Sequence, residues 1–379
     1  MDSHIRRKPA GTNEQPPATL SYGDEFGPYI ITGFAGCGAT SYVYRARRRD
    51  RFEPVAIKVL HPHLVADPTR RLTFYREARI MMRMDHPNVV RFEEIIEDGD
   101  TLAFVMEYIE GFTLKEWLCE RAHQLDEVSL ACVFVDLLRG VAAAHGEGII
   151  HRDMKPGNVL ITEERGRSVA KIIDFGVARF VDEEPTEREK SKIIGTAAYV
   201  SPEEVGAPER VCKASDIYSI GVMLYEAACG RRPFDGLEVR DLLKAHVRRA
   251  PRRPRQFNPE LSASLEEVIL QSLSKHPDKR FSSAPELIGA LESALYRREE
   301  ESRGVEMSDD VVESWETLET THWQRPKREK PEEHSKGSVG RFFKRCLQAA
   351  FVLVTTTGAE SDDERHFLNR SPDTNLPFR

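Results

Sequence analysis

Three stretches of this 379-residue chain carry residue types that could do chemistry. Residues 33–46 read GFAGCGATSYVYRA, small residues running into Val-Tyr, the pattern of a loop whose backbone N–H groups cradle phosphates. Lys58 lies inside VAIKVL, residues 55–60, a strand by its β-branched side chains. Alternation puts Lys58 on the same face as Ala56, and a lysine inside an apolar strand is costly unless its charge is paired. Over residues 68–84, Phe74, Glu77, Met81 and Met84 recur at three- and four-residue steps, so they share one helical face. Glu77 is then turned inward and needs a cation, and Lys58 is the nearest candidate in sequence. Such a pair would hold the ammonium where phosphates bind. On the residues alone two alternatives stay open: an edge-strand lysine that snorkels, and a glutamate at the stripe's border that meets water. The third stretch is IIHRDMKPGNVLI, residues 149–161, where apolar pairs bracket a loop of His, Arg, Asp, Lys and Asn. Thirteen residues beyond, KIIDFG ends a strand at Asp174-Phe175-Gly176.

These residues need a scaffold, and the flanking pattern describes one. Order begins between Ser21 and Tyr29, and residues 29–60 alternate apolar and polar with Gly and Asp punctuation, as hairpin strands do. Asp67 as N-cap and Pro68 as first residue open a helix over 68–84. VVRFEEIIEDGDTLAFVMEYI adds two strands around a D-G-D turn. After Gly111 the pattern is mostly helical as far as Tyr296. A small β-rich lobe followed by a larger α-rich lobe makes an α+β, bilobal chain.

Composition bounds the rest. Hydrophobic content is 40% and charged content 31%, so most of the chain is globular. A net charge of −7 gives no general attraction to nucleic acid. The six cysteines are scattered with no CxxC pair, which argues against a zinc site or disulfide framework and for reduced thiols in the cytoplasm. The first twenty residues lack the apolar core of a signal peptide and read as part of a flexible leader. No internal repeat is found.

The ordered set VAIK, helix glutamate, HRDMKPGN, DFG, SPE and DIYSIG resembles a eukaryotic-type (Hanks-type) Ser/Thr protein kinase, closest in character to the bacterial ones. The resemblance implies a flexible leader 1–27 and a kinase domain 28–297, divided into an N-lobe 28–110 and a C-lobe 111–297. It implies that Asp153 is the catalytic aspartate and that Lys155 neutralises the transferring phosphoryl group. Asn158 and Asp174 correspond to the metal ligands, oxygen donors for Mg2+, with Mn2+ as a substitute. Lys58 would contact the phosphates of ATP, with Glu77 as its partner. The glycine loop aligns as Gly36-Cys37-Gly38-Ala39-Thr40-Ser41-Tyr42-Val43, with Ser41 in place of the third glycine and its hydroxyl free to cap the turn. Val43, Ala56 and Leu160 would sandwich the adenine. Met106 corresponds to the gatekeeper, and Glu107, Tyr108 and Ile109 to the hinge.

The resemblance extends to control. Thr196, in GTAAYVSPE, corresponds to a residue that contacts substrate and the catalytic aspartate. Arg152 would pair with a phosphate on the activation segment, where Ser191 is the first candidate site and Thr186 the second. Asp216 corresponds to a brace for the catalytic loop, and Arg280 to the partner of Glu203. Phe92, Met81, His151 and Phe175 would form an apolar column between the lobes, which makes His151 a core residue. Ser201 replaces the alanine of the usual APE triplet. Protein substrates are implied partners, and a homodimer would serve autophosphorylation. A non-catalytic ATP-binding scaffold is the alternative reading.

Residues 298–340 turn polar, acidic and then basic, and read as a disordered charged linker to a tail over 341–379. Within that tail, residues 341–359 set basic residues beside an apolar run about half the length that spans a bilayer. Attachment to a membrane surface and docking on a partner or the kinase lobe are both open for this segment.

Overall fold

The computed structural model describes residues 20–121, 126–181, 183 and 195–303. Strands β1 (Glu25–Phe26), β2 (Tyr29–Cys37), β3 (Ser41–Arg48) and β4 (Pro54–Leu60) come first. Helices α1 (Pro62–Val65) and α2 (Pro68–Met81) follow, then strands β5 (Phe92–Asp98) and β6 (Thr101–Glu107). The six strands form one sheet in the order β1-β2-β3-β4-β6-β5.

Strand β4 is central and explains the lobe. Its period of two sends Val55, Ile57 and Val59 to an outer core with Tyr29, Ile31, Tyr44 and Val105. Ala56 and Leu60 face the opposite way, into the core shared with α2 and the second lobe. Both faces are covered, so the run is apolar throughout except for Lys58. Asp67 caps α2 by accepting from the backbone N–H groups of Thr69 and Arg70, at 2.8 and 3.4 Å. That start fixes the phase of the stripe, and Phe74, Glu77, Met81 and Met84 are all buried. The helix closes at Met81 rather than Met84. Tighter turns, with Met84 N donating to Met81 O at 3.0 Å, carry Met84 inward without another helical turn. The D-G-D turn joins β5 to β6, and Gly99 supplies the positive φ of 55° there.

The second lobe contains β7 (Phe112–Thr113), α3 (Leu114–Arg121), α4 (Glu127–Gly146), β8 (Ile149–Ile150), β9 (Val159–Glu164), β10 (Arg167–Ile172) and β11 (Arg179–Phe180). Helices α5 (Pro202–Gly206), α6 (Lys213–Cys229), α7 (Val239–Arg248), α8 (Ala263–Ser272) and α9 (Ala284–Arg303) complete it. Helical periodicity dominates as expected, but five short strands are added around the loop that carries Asp153. At both ends the described structure reaches past the domain boundaries drawn from sequence. Strand β1 pairs with β2 and buries Phe26 inside the supposed leader. Helix α9 continues past residue 297, where Arg298 pairs with Glu127 on α4 at 3.0 Å. The tail from 341 to 379, and most of the linker, lie outside the described residues.

One buried ion pair fastens this lobe. Arg280 donates to both oxygens of Glu203 at 2.7 and 2.8 Å, and also to the carbonyls of Ser274, Lys275 and Ala214. Burial favours a neutral Glu203, but Arg280 and Ser215 outweigh it and hold the carboxyl below its usual range. Ser201 fills the variant position as the N-cap of α5, exchanging bonds with Glu204 in a capping box. Replacing Arg280 with alanine would strand Glu203 unpaired. Urea unfolding of Arg280→Ala is expected to show a loss of about 3–5 kcal/mol. A double variant that also replaces Glu203 with an apolar residue is expected to recover part of it.

Candidate active site

The site begins with the charge that the sheet cannot bury alone. Registers Val43–Lys58 and Lys58–Phe104 put Lys58 in mid-sheet, on the cleft face. Its ammonium lies 2.5 Å from Glu77 Oε1 and 3.1 Å from Asp174 Oδ1. The side chains of Lys58 and Glu77 are only 11% and 5% exposed, so neither the snorkelling lysine nor the water-facing glutamate occurs. Burial disfavours the ammonium, but Asp174 and Glu77 outweigh it and hold Lys58 above the ordinary lysine range. Burial also opposes ionisation of Asp174, yet Lys58 and the Gly176 N–H keep its carboxyl well below the usual range. Glu77 goes the other way. Burial is the largest cause and pushes it up, against Lys58 and with help from Asp174.

The loop between β8 and β9 hangs from a second buried carboxylate. Asp216, near the start of α6, accepts the backbone N–H groups of His151 and Arg152, each at 2.9 Å. His145 Nε2 lies 2.8 Å from the same carboxylate. Arg152 takes a positive φ of 69°, a strained conformation that these two bonds hold in place. The next residue, Asp153, is thereby aimed into the cleft. Thr196 donates to Asp153 Oδ1 through both its backbone N–H, at 2.8 Å, and its hydroxyl, at 2.9 Å. Lys155 bonds Asp153 Oδ2 and reaches the Thr196 hydroxyl at 3.1 Å. Asn158 donates its Nδ2 to the Asp153 carbonyl at 2.9 Å, which turns its Oδ1 away from Asp153. Gly195 has a φ of +92°, and a Cβ there would sit 2.7 Å from the Arg152 carbonyl. No other residue lets the segment approach so closely.

A cleft of about 2340 Å³ is lined by Gly36, Gly38, Ser41, Val43, Ala56, Lys58, Glu77, Met106, Glu107, Tyr108, Ile109 and Leu160. Asp153, Lys155, Asn158 and Asp174 line the same cleft. Its apolar end and its charged end therefore meet, as a nucleotide with a flat base and a polyphosphate needs. The cleft is large enough to take a nucleotide. A Cβ at Gly36 would meet no protein atom within 4 Å, so the space beside this backbone is open to a ligand. The Ser41 hydroxyl does not take the expected part. Gly38 N donates instead to the Ser41 carbonyl at 2.8 Å, and Ser41 joins β3, paired with Leu60.

His151 packs against Phe175 with ring centroids 5.0 Å apart and is 2% exposed, so it belongs to the core. Met81 is fully buried, and Phe92 meets Phe104 at 6.0 Å. Ser191 and Thr186 lie outside the described residues. Sequence reasoning missed several partners. His145 was hidden because helical periodicity marks it as core. Lys171 pairs with the hinge residue Glu107 at 3.0 Å. Arg76 on α2 bonds Glu183, beyond β11. Period-3.6 analysis of α2 does not single out Arg76, because its partner is 107 residues away.

Comparison with known proteins gives one consistent result. A family profile described as protein kinase domain matches residues 29–290. Serine/threonine-protein kinase PkaA of Streptomyces coelicolor is 36% identical over 66% of this chain and 47% of its own length. Serine/threonine-protein kinase PknB of Mycobacterium leprae is 34% identical over 68% of this chain and 42% of its own. The chain thus spans less than half the length of these relatives. The crystal structure of the Mycobacterium tuberculosis PknI kinase domain superposes with a TM-score of 0.56 at 25% identity, covering 73% of this chain and 99% of that one.

The Asp216 brace makes a pH-dependent contribution that can be measured. Burial works against its charge, but the His145 bond and charge outweigh it and lower its pKa in the folded state. A lowered carboxylate stabilises the fold above its unfolded pKa, and that stability is lost as pH falls through the folded value. Asp216→Asn is expected to unfold with about 2–3 kcal/mol less stability at neutral pH. The gap between variant and wild type is expected to narrow as denaturant melts are taken below the ordinary carboxylate range.

Proposed function

The chain belongs to the protein kinase family, and on that premise we propose that it transfers the γ-phosphate of ATP to serine or threonine hydroxyls of proteins. The observation that carries this reading is the convergence of Lys58–Glu77, Asp153, Lys155, Asn158 and Asp174 on one cleft. Every charged group that phosphoryl transfer calls on is present and hydrogen-bonded, which is why the non-catalytic scaffold is set aside.

In this reading Val43, Ala56 and Leu160 hold the adenine, while the backbone of Glu107 to Ile109 reads its edge. Lys58 binds the α- and β-phosphates, and Glu77 fixes the ammonium's position. Asn158 Oδ1 and the ionised Asp174 are hard oxygen donors that fit Mg2+, an ion that keeps phosphate and water as its other ligands. Bound there, such an ion would supply positive charge against the phosphate oxygens. Asp153 orients the acceptor hydroxyl and takes its proton as that oxygen bonds to phosphorus and the bond to ADP breaks. Lys155 balances the charge on the moving phosphoryl group. Thr196 touches both Asp153 and Lys155, which supports a role in meeting the acceptor residue. The same reading includes autophosphorylation at Ser191 or Thr186 and work in the cytoplasm, in keeping with the free thiols of Cys37, Cys119, Cys132, Cys212 and Cys229.

The test is phosphate transfer from labelled ATP with Mg2+, wild type beside Asp153→Asn. The variant is expected to lose about 10²–10⁴-fold in rate, the range for removing a proton acceptor. Equal labelling by both proteins would overturn the assignment of Asp153. Phosphopeptide mapping of active wild type is expected to find Ser191 or Thr186 modified.

A further inference from the structure

We propose that His61 is a positioning residue for the nucleotide, acting as a clamp on the glycine-rich turn. His61 follows β4 directly, and the Ser41–Leu60 pairing brings it beneath the turn between β2 and β3. Its backbone N–H donates to the Thr40 carbonyl at 2.8 Å. Its ring Nε2 lies 3.0 Å from the Gly38 carbonyl, and since a carbonyl only accepts, Nε2 is the protonated nitrogen. Gly38 N in turn donates to Ser41 O at 2.8 Å, so the turn is tied both across its mouth and down to β4. The ring itself is held. It is 7% exposed, meets Tyr42 edge-on with centroids 4.2 Å apart, and stacks on His63 at 5.6 Å with planes 15° apart.

The physical consequence follows from chain entropy. A turn of glycines and small residues is free to open, and fixing each backbone residue costs roughly 1–2 kcal/mol. A ligand that must order the turn bears that cost, and one that meets an ordered turn does not. Ser41 opens β3 opposite Leu60, and that pairing puts the Gly38 carbonyl within reach of the residue after Leu60. His61 is not among the residues that line the cleft, so its effect on the phosphates passes through the backbone of Gly38. This role rests on the reading of the cleft as an ATP site, while the clamp itself can be observed without nucleotide.

Two variants separate the hydrogen bond from the packing. His61→Phe keeps a ring against Tyr42 but has no donor, and His61→Gln retains an N–H at comparable reach. Two readouts are taken on the full chain: steady-state kinetics with Mg-ATP and a peptide acceptor, and the alkylation rate of Cys37 followed by peptide mass spectrometry. Cys37 is exposed and adjoins Gly38, so it reports opening of the turn in the absence of nucleotide. His61→Phe is expected to raise the KM for ATP about 3- to 10-fold, the equivalent of one hydrogen bond, with a smaller change in kcat and none in the KM for peptide. Cys37 is expected to react faster in that variant, and His61→Gln is expected to restore both values. Unchanged Cys37 reactivity and ATP KM in His61→Phe would overturn the clamp. Equal impairment of both variants would assign the effect to packing and overturn it as well. If wild type transfers no phosphate, the kinase reading fails, and the Cys37 rates still decide whether the clamp exists.

Discussion

A lysine ammonium in the middle of an apolar sheet is the constraint on which the rest of this structure depends. Lys58 cannot stay in β4 without carboxylates, and the two that reach it come from different parts of the chain. Glu77 arrives on α2, and Asp174 arrives from beyond β10 in the other lobe. Satisfying one buried charge therefore sets the seat of α2 on the sheet and brings a second-lobe residue to the cleft. The pairing is more than structural balance. The shared cation keeps Asp174 ionised, while Glu77 gives up part of its acidity to burial, so the two carboxylates have different electrostatic characters.

The second lobe solves a similar problem with Asp216. Its carboxylate is fully buried; it accepts the backbone N–H groups of His151 and Arg152 in the loop it must shape, and ties that loop to His145 on α4. The strained φ at Arg152 persists because those bonds over-determine it. Asp153 is thus held by the backbone, and its carboxylate remains available to Thr196, Lys155 and Asn158. The Glu203–Arg280 pair anchors α5, so the stretch that carries Thr196 is held just beyond that residue.

Much of the site was legible because its residues obey strong local rules. The phase of α2 follows from Asp67 and Pro68, and that phase alone turns Glu77 inward. The alternation of β4 puts Lys58 with Ala56. Ordered motifs then place Asp153, Asn158 and Asp174 without knowledge of any distance. The errors are local too. A helix drawn to Met84 overruns, because an inward methionine is compatible with a tight turn as well as a helix. A leader drawn to residue 27 misses β1, since two residues carry too little periodicity to announce a strand. The cap expected of the Ser41 hydroxyl is provided by the Ser41 carbonyl.

The sequence by itself determined which groups carry charge, which faces they share within one element, and which family of chemistry they suit. Periodicity and motif spacing act over a few residues, and those signals survive in one dimension. Only the tertiary structure decided which distant groups meet. Lys171 finding Glu107, Arg76 finding Glu183 and His61 finding Gly38 depend on strand register and loop closure, which local pattern does not encode. The burial that raises Glu77 and opposes ionisation at Asp216 likewise exists only once the lobes have packed, because it is the exclusion of water by neighbours far away in sequence.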